Sequence, residues 1–276
     1  MTAADGPATA APTFLYIDYG ASPYIARELR YSLSTLLAEY PGGAARVVVY
    51  TDKPGAYRKL HESVRARDIS QEIGAMTRNG AYPHRIKPCV LLDALKACDE
   101  DCVLLDTDSY IQPGFAAALA KALARGAAMD HFEQRDPYPA IAGFQASLPR
   151  AGSYVYDPAQ AVSYNSGLVA ARPSPHLAAL EDAIALIDAM LDSGETLFKI
   201  EQIAISESFR LHSTEVAEMR PHFQHYYRRS LKRYMHWRID RWIKRAPDFE
   251  AGRPFIRHSR NQVRLFNYVN RLVGGY

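Results

Sequence analysis

The sequence has little cysteine and no long apolar run, and each shortage excludes something. Its three cysteines, Cys89, Cys98 and Cys102, lack the paired C-x-x-C spacing and partner histidines of a zinc site. They read as reduced, mostly buried thiols of a cytosolic protein. Nowhere do apolar residues run for the roughly 18 positions that a membrane-crossing helix needs, so no span is expected. The opening MTAADGPATAAP has neither a basic start nor an apolar stretch; residues 1–12 read as a disordered tail and not as a signal peptide. An excess of one charge is missing too. The 33 Lys and Arg nearly cancel the 30 Asp and Glu, leaving a net charge of +3. That is too little for a surface built to neutralise nucleic acid, and no nucleic-acid partner is expected. There is no internal repeat and no low-complexity tract.

What is present suits a packed enzyme-sized domain: 276 residues, 48% of them hydrophobic, can bury a real core. Residues 14–17 form a short apolar β-run closed by Asp18-Tyr19-Gly20, and residues 24–40 repeat apolar positions at helical spacing until Pro41-Gly42-Gly43. Residues 46–52 read as a buried parallel strand. A short helix over 59–64, a strand over 66–69 and a helix over 87–98 follow. This alternation predicts an α/β, Rossmann-like domain with a mixed, mostly parallel central sheet over residues 13–220. A strand at 102–105 then runs straight into Asp106-Thr107-Asp108, followed by Pro113-Gly114 and an alanine-rich helix to about residue 125. Residues 127–132 read as a strand, and 133–160 as a long loop of functional type. Residues 162–171 carry Tyr164-Asn165-Ser166-Gly167 and then an apolar strand, with helices expected at 175–191 and 197–208 and a terminal β-run at 254–258.

In an extended strand, residues i and i+2 point the same way, so Asp106 and Asp108 should aim two carboxylates together past the sheet edge. Paired hard oxygen ligands suit Mg2+ or Mn2+. In an open α/β sheet, ligands bind in the crevice outside the carboxyl ends of the strands, where this pair falls. A metal there would neutralise diphosphate oxygens.

Four segments occur in one order: Tyr50-Thr51-Asp52, Arg85-Ile86-Lys87, Leu104-Leu105-Asp106-Thr107-Asp108, and Tyr164-Asn165-Ser166-Gly167. In that order the chain resembles the GT-A nucleotide-diphospho-sugar glycosyltransferases, in layout the glycogenin-like, family 8 branch, over about residues 14–210. The resemblance implies that Asp18, Tyr19 and Gly20 line the base pocket and that Asp52 touches base or ribose. Arg85 and Lys87 would reach the nucleotide phosphates, as charge-assisted bonds favour. Asp106 and Thr107 would hold the donor, with Asp106 and Asp108 on a Mn2+ or Mg2+ ion. Asn165 and Ser166 would contact the transferred sugar, with Gly167 allowing a close backbone approach. Glu201, followed by Gln202, would face acceptor or sugar, as general base if the enzyme inverts the anomeric centre. The best-placed third metal ligand is His258, for which His222 and His225 compete; the Gly and Lys of the glycogenin pattern are not evident in Ser259-Arg260-Asn261.

Beyond residue 220 the composition changes. Tyr227, Leu231, Tyr234, Met235, Ile239 and Trp242 recur at near-helical spacing among arginines and lysines, which predicts a basic amphipathic helix over 226–245 within a C-terminal extension, 221–276, that packs on the domain. Such a helix suits an anionic membrane surface, and so a cytoplasmic protein held peripherally on the membrane. The function implied is metal-dependent transfer of a sugar from a nucleotide-diphosphate sugar to a saccharide, lipid-linked or protein acceptor, driven by leaving-group stabilisation and positioning. One alternative is a sugar nucleotidyltransferase, although the first strand lacks the long Gly-rich, basic loop that holds a triphosphate. Another is a non-catalytic partner that binds sugar nucleotides or glycans.

Overall fold

The computed structural model describes residues 11–20, 22–135, 138, 141–245, 249 and 259–272. Along the chain run β1 (Thr13–Asp18), α1 (Ile25–Glu39), β2 (Arg46–Thr51), β3 (Val64–Asp68), α2 (Ile73–Thr77), α3 (Ile86–Ala97), β4 (Cys102–Leu105) and β5 (Ser109–Ile111). There follow α4 (Phe115–Leu123), β6 (Ala127–Met129), β7 (Phe132–Arg135), β8 (Gln145–Leu148), β9 (Gly152–Val155), β10 (Val162–Tyr164) and β11 (Leu168–Ala171). The remainder comprises α5 (Pro173–Asp192), α6 (Ile200–Leu211), β12 (Val216–Glu218), β13 (Phe223–His225), α7 (Arg229–Arg245) and α8 (Arg260–Leu272).

Seven strands make the central sheet in the order β12-β6-β11-β4-β1-β2-β3. All neighbours pair in parallel except β11, which runs antiparallel to both β4 and β6. The fold is therefore α/β with a mixed, mostly parallel sheet. The inner strands are near-continuous apolar runs because helices cover both faces. Along β1 the two-residue period divides the core: Phe14 and Tyr16 pack with Leu29 and Leu33 of α1 and Phe115 of α4. Leu15 faces the opposite layer, with Val90 of α3, Leu186 of α5 and Ile203 of α6.

Helix α1 stops at Pro41, whose ring and missing N–H cannot extend it. Residues 59–63 form turns and not the expected helix. Leu60 N–H reaches Tyr57 O, Val64 N–H reaches His61 O, and Ser63 N–H is taken by His61 Nδ1, a stretch too short to repay helix nucleation. The expected loop at 133–160 contains β7 and the β8–β9 hairpin. The apolar strand expected after Asn165-Ser166-Gly167 is β11; before it, Asp130 N–H bonds the carbonyls of both Asn165 and Leu168 and holds a bend there. Helix α8 was not expected. The β-run at 254–258 lies outside the described residues, as does the N-terminal tail up to residue 10.

Helix α7 packs its apolar stripe on the domain. Tyr234, Met235 and Ile239 are buried with Tyr31 and Tyr110. The ring of Trp242 meets Tyr31 edge-on at 5.5 Å, and His236 stacks on Tyr24 at 4.6 Å. Among the described residues, no helix is long and apolar enough to cross a membrane.

The edge strand β12 sits so close to the start of β6 that a Cβ at Gly126 would lie 2.3 Å from the Glu215 carbonyl oxygen. Gly126→Ala must therefore push the two backbones apart. It is expected to cost about 1–3 kcal/mol of stability in a denaturant titration, as overpacking does; an unchanged midpoint would contradict this close approach.

Candidate metal centre

The fully buried strand β4 carries the chain to the carboxyl edge of the sheet, where it bends instead of continuing. Two bonds fix the bend: Asp106 N–H donates to Gly167 O at 2.8 Å, and Ser109 Oγ donates to Asp106 O at 2.6 Å. Asp106 and Asp108 thus converge through a turn, not through the i, i+2 alternation of a strand. Just beyond the turn, β5 pairs antiparallel with β13, with Ser109 opposite His225. That register sets His225 Nε2 3.1 Å from Asp108 Oδ1 and 3.5 Å from Asp106 Oδ2. One ligand atom each from Asp106, Asp108 and His225 lies within 4.8 Å of the others.

The far side of the imidazole is also fixed. His225 Nδ1 is 3.0 Å from Asn165 Oδ1 and 3.6 Å from Asp130 Oδ2. Asp130 is wholly buried, with His131 Nδ1 at 3.0 Å and the Arg220 guanidinium Nε at 3.3 Å. Gly167 makes room for the ring, since a Cβ there would lie 2.2 Å from His225 Nδ1. Burial disfavours charge on His225, but hydrogen bonds to Asp108 and Asp130 and the charges of Asp108 and Asp106 outweigh it and hold the imidazolium up to about 9. Burial would likewise raise Asp108, yet His225 and Lys232 keep its carboxyl well below the usual range.

Two ammonium groups complete the charge balance. Lys87 Nζ, from α3, is 2.8 Å from Asp106 Oδ2 and 3.3 Å from Ser166 Oγ. Lys232 Nζ, from α7, is 2.7 Å from Asp108 Oδ2 and 3.4 Å from Glu28 Oε1. Desolvation opposes both charges, and the facing carboxylates more than compensate, so both are held above the ordinary lysine range.

The donor set fits a divalent cation. With Nδ1–H given to Asn165 Oδ1, a neutral His225 turns its Nε2 lone pair toward two carboxylates, and an acceptor behind the ring is the usual support of a metal-bound histidine. Two carboxylate oxygens with one imidazole nitrogen could hold such an ion.

These groups line a cleft of about 460 Å3, together with Ile17, Tyr19, Glu28, Thr107, Asn165, Phe198, Glu201, Gln202 and Tyr227. Several residues expected in the site are therefore present. Glu201 is buried, accepting from Ser166 Oγ at 2.7 Å and from Tyr82 Oη at 3.0 Å, with Lys87 Nζ at 3.7 Å. Thr107 Oγ1 donates to the buried Glu28 at 3.3 Å. Tyr19 stands on the wall.

Others are committed elsewhere. Arg85 does not line the cleft: its guanidinium makes two 2.8 Å bonds to Asp188 of α5 and one to Ala75 O. Asp18 is buried and accepts the Tyr57 hydroxyl, while Asp52 accepts Gly20 N–H at 3.0 Å. These three, Asp18, Gly20 and Asp52, brace the end of β1 behind Tyr19 and do not line the cleft. Gly167 serves His225. His258 lies outside the described residues; His225 stands beside the aspartates, and His222 instead bonds Pro113 O at 3.1 Å. Glu28, Lys232 and His236 were not singled out as site residues. His236 Nε2 is 2.6 Å from Glu28 Oε1, so a hydrogen bond beside the Lys232–Glu28 ion pair joins α1 and α7 at the cleft wall.

Gly167→Ala should drive the imidazole off the carboxylates without touching any of the three ligands. Mn2+ affinity measured by calorimetry should fall roughly 10- to 100-fold, the range for lost support of a metal ligand. Wild-type affinity in this variant would show that His225 is not a ligand.

Neither the protein-family models nor the curated proteins compared with this sequence match it, so the chemistry of the site rests on its own geometry.

Proposed function

We propose that the chain is a divalent-metal-dependent glycosyltransferase of the GT-A type, moving a sugar from a nucleotide-diphosphate donor to an acceptor hydroxyl. The observation that carries this reading is the meeting of Asp106, Asp108 and His225 with Lys87 and Lys232 at the carboxyl edge of the parallel strands. A cleft of about 460 Å3 is within the range of small-ligand sites. The mixed sheet, with antiparallel β11 beside the strand that carries the aspartates, supports the GT-A reading.

Asp106, Asp108 and His225 Nε2 would hold Mn2+ or Mg2+, and the ion, when bound, supplies Lewis-acid stabilisation of the departing nucleoside diphosphate. The chain's own groups do the rest. Lys87 and Lys232, once their carboxylates have another cation to face, are free to donate to phosphate oxygens, which accept charge-assisted bonds well. Ile17 and Tyr19 offer a flat wall for the base at the end of β1. Asn165 Nδ2 donates to Glu133 Oε1 at 3.0 Å, and Glu133 is also bonded by Lys199 and Gln202. Asn165, Lys199 and Gln202 of this polar group line the cleft and suit sugar hydroxyls. Glu201 orients Ser166 Oγ and Lys87 Nζ beside it; if the enzyme inverts, the same carboxylate is the candidate general base.

Thermal unfolding with uridine or guanosine diphosphate should shift upward only when Mn2+ is present, because a ligand of the folded state alone stabilises it. Metal-dependent release of nucleoside diphosphate from the matching sugar donor should fall roughly a hundredfold or more in Asp108→Ala, as when one group that stabilises transition-state charge is removed. Metal-dependent nucleotide binding without turnover would instead establish a non-catalytic binding protein.

A further inference from the structure

The amphipathic C-terminal extension carries two apolar stripes, and packing satisfies only one of them. The stripe of α7 is spent on the domain, through Tyr234, Met235 and Ile239. Helix α8 packs its own inner face on α7. Phe266 meets the rings of Tyr234 and Trp237 at 5.5 and 5.1 Å, and Asn267 Nδ2 donates to Ser230 O at 3.0 Å. On the opposite face, Leu265, Tyr268 and Val269 fall at i, i+3 and i+4 and so form one stripe. They are 63%, 62% and 46% exposed. Three adjacent bare apolar side chains on one helical face differ from the scattered exposure that any surface shows.

The charge around that stripe has one sign. Helix α8 contains no acidic residue, and the single carboxylate of α7, Asp240, is already paired with Arg27 at 2.7 Å. Arg260 and Arg264, four residues apart, flank the bare stripe and are exposed. At the α7–α8 seam, Arg241 lies 5.0 Å over the Trp237 ring and Arg238 donates to Tyr234 Oη at 2.8 Å. Aromatic groups thus hold both guanidiniums beside α8.

We propose that α8 is an interfacial helix that lies on an anionic lipid bilayer, with Leu265, Tyr268 and Val269 inserted at the headgroup boundary and the flanking arginines on lipid phosphates. A bare apolar stripe beside a cationic flank on a helix otherwise rich in Asn, Gln and Arg is the pattern of a helix that rests in the plane of a membrane. Charge complementarity selects anionic lipid, because the phosphate of a zwitterionic headgroup is offset by its own cation and leaves no negative surface potential to attract the arginines. The packing on α7 relocates the membrane contact: the α7 stripe that suggested it in the sequence is buried, and the accessible one belongs to α8. Through α7 the stripe is joined to the helix that carries Lys232 and His236. This proposal does not depend on the transferase reading, since lipid binding is read without any donor.

The test is vesicle co-sedimentation of the full chain at physiological ionic strength. Phosphatidylcholine vesicles containing phosphatidylglycerol should pull the chain down, and pure phosphatidylcholine vesicles should not. Leu265→Ser combined with Val269→Ser, both exposed sites, should leave the unfolding midpoint unchanged and weaken partition by at least about tenfold. Arg260→Gln with Arg264→Gln should also weaken it and lessen its dependence on salt. Partition unchanged in the serine variant, or absent from anionic vesicles, would overturn the proposal. So would light scattering that shows a dimer in the wild type and a monomer in the serine variant, which would assign the stripe to a second copy of this chain.

Discussion

Buried carboxylates that crowd one edge of a sheet must be neutralised or they repel the fold apart, and this constraint organises the molecule around the cleft. Asp106, Asp108, Glu28, Asp130 and Glu201 come together there, all but Asp106 buried. Placing such charges in a poorly hydrated site is costly unless each is paired. The pairing cations arrive from distant parts of the chain: Lys87 from α3, His225 from β13 and Lys232 from α7. Each element is therefore tied to the carboxyl end of β4 by charge as well as by packing. The same network is a site in waiting, because a divalent cation can take over the work that two ammoniums and an imidazolium do in its absence.

That double use explains why α7 is fixed where it is. Its apolar stripe covers Tyr31 and Tyr110, which sets its position on the domain. Lys232 and His236 on its inner side then reach Glu28 and Asp108. The segment that composition marked as a surface feature is thus one wall of the cleft. Helix α8, stacked outside it through Phe266, extends that wall to the surface and presents the remaining apolar stripe.

Much of this was legible in the residues, and what was not has definite physical reasons. The strand ending in Asp106-Thr107-Asp108 could be read because four apolar residues meet a charged turn, a strictly local pattern. The helical spans of α1, α3, α4, α5 and α7 followed from periodicity to within a few residues. The identity of the histidine did not, because His225 reaches Asp108 across 117 positions of chain and is placed there only by the β5–β13 register. Arg85 looked like a phosphate ligand because basic character is visible in sequence and its partner Asp188, on another helix, is not. Gly167 could be singled out, but its cause could not: the space it leaves is filled by a ring from the far end of the chain. Helix α8 escaped notice because its apolar residues serve two opposite faces, which blurs the single stripe that a periodicity reading seeks.

If Asp106, Asp108 and His225 hold a metal ion, Lys87 and Lys232 balance the carboxylates when no cation is bound. A crystal grown with Mn2+ and measured at a wavelength where manganese scatters anomalously tests it most directly. One strong anomalous peak is expected at about 2.0–2.3 Å from carboxylate oxygens of both aspartates and from His225 Nε2, with Lys232 Nζ withdrawn from Asp108. A peak elsewhere, or none, with Lys232 still on Asp108, would contradict it.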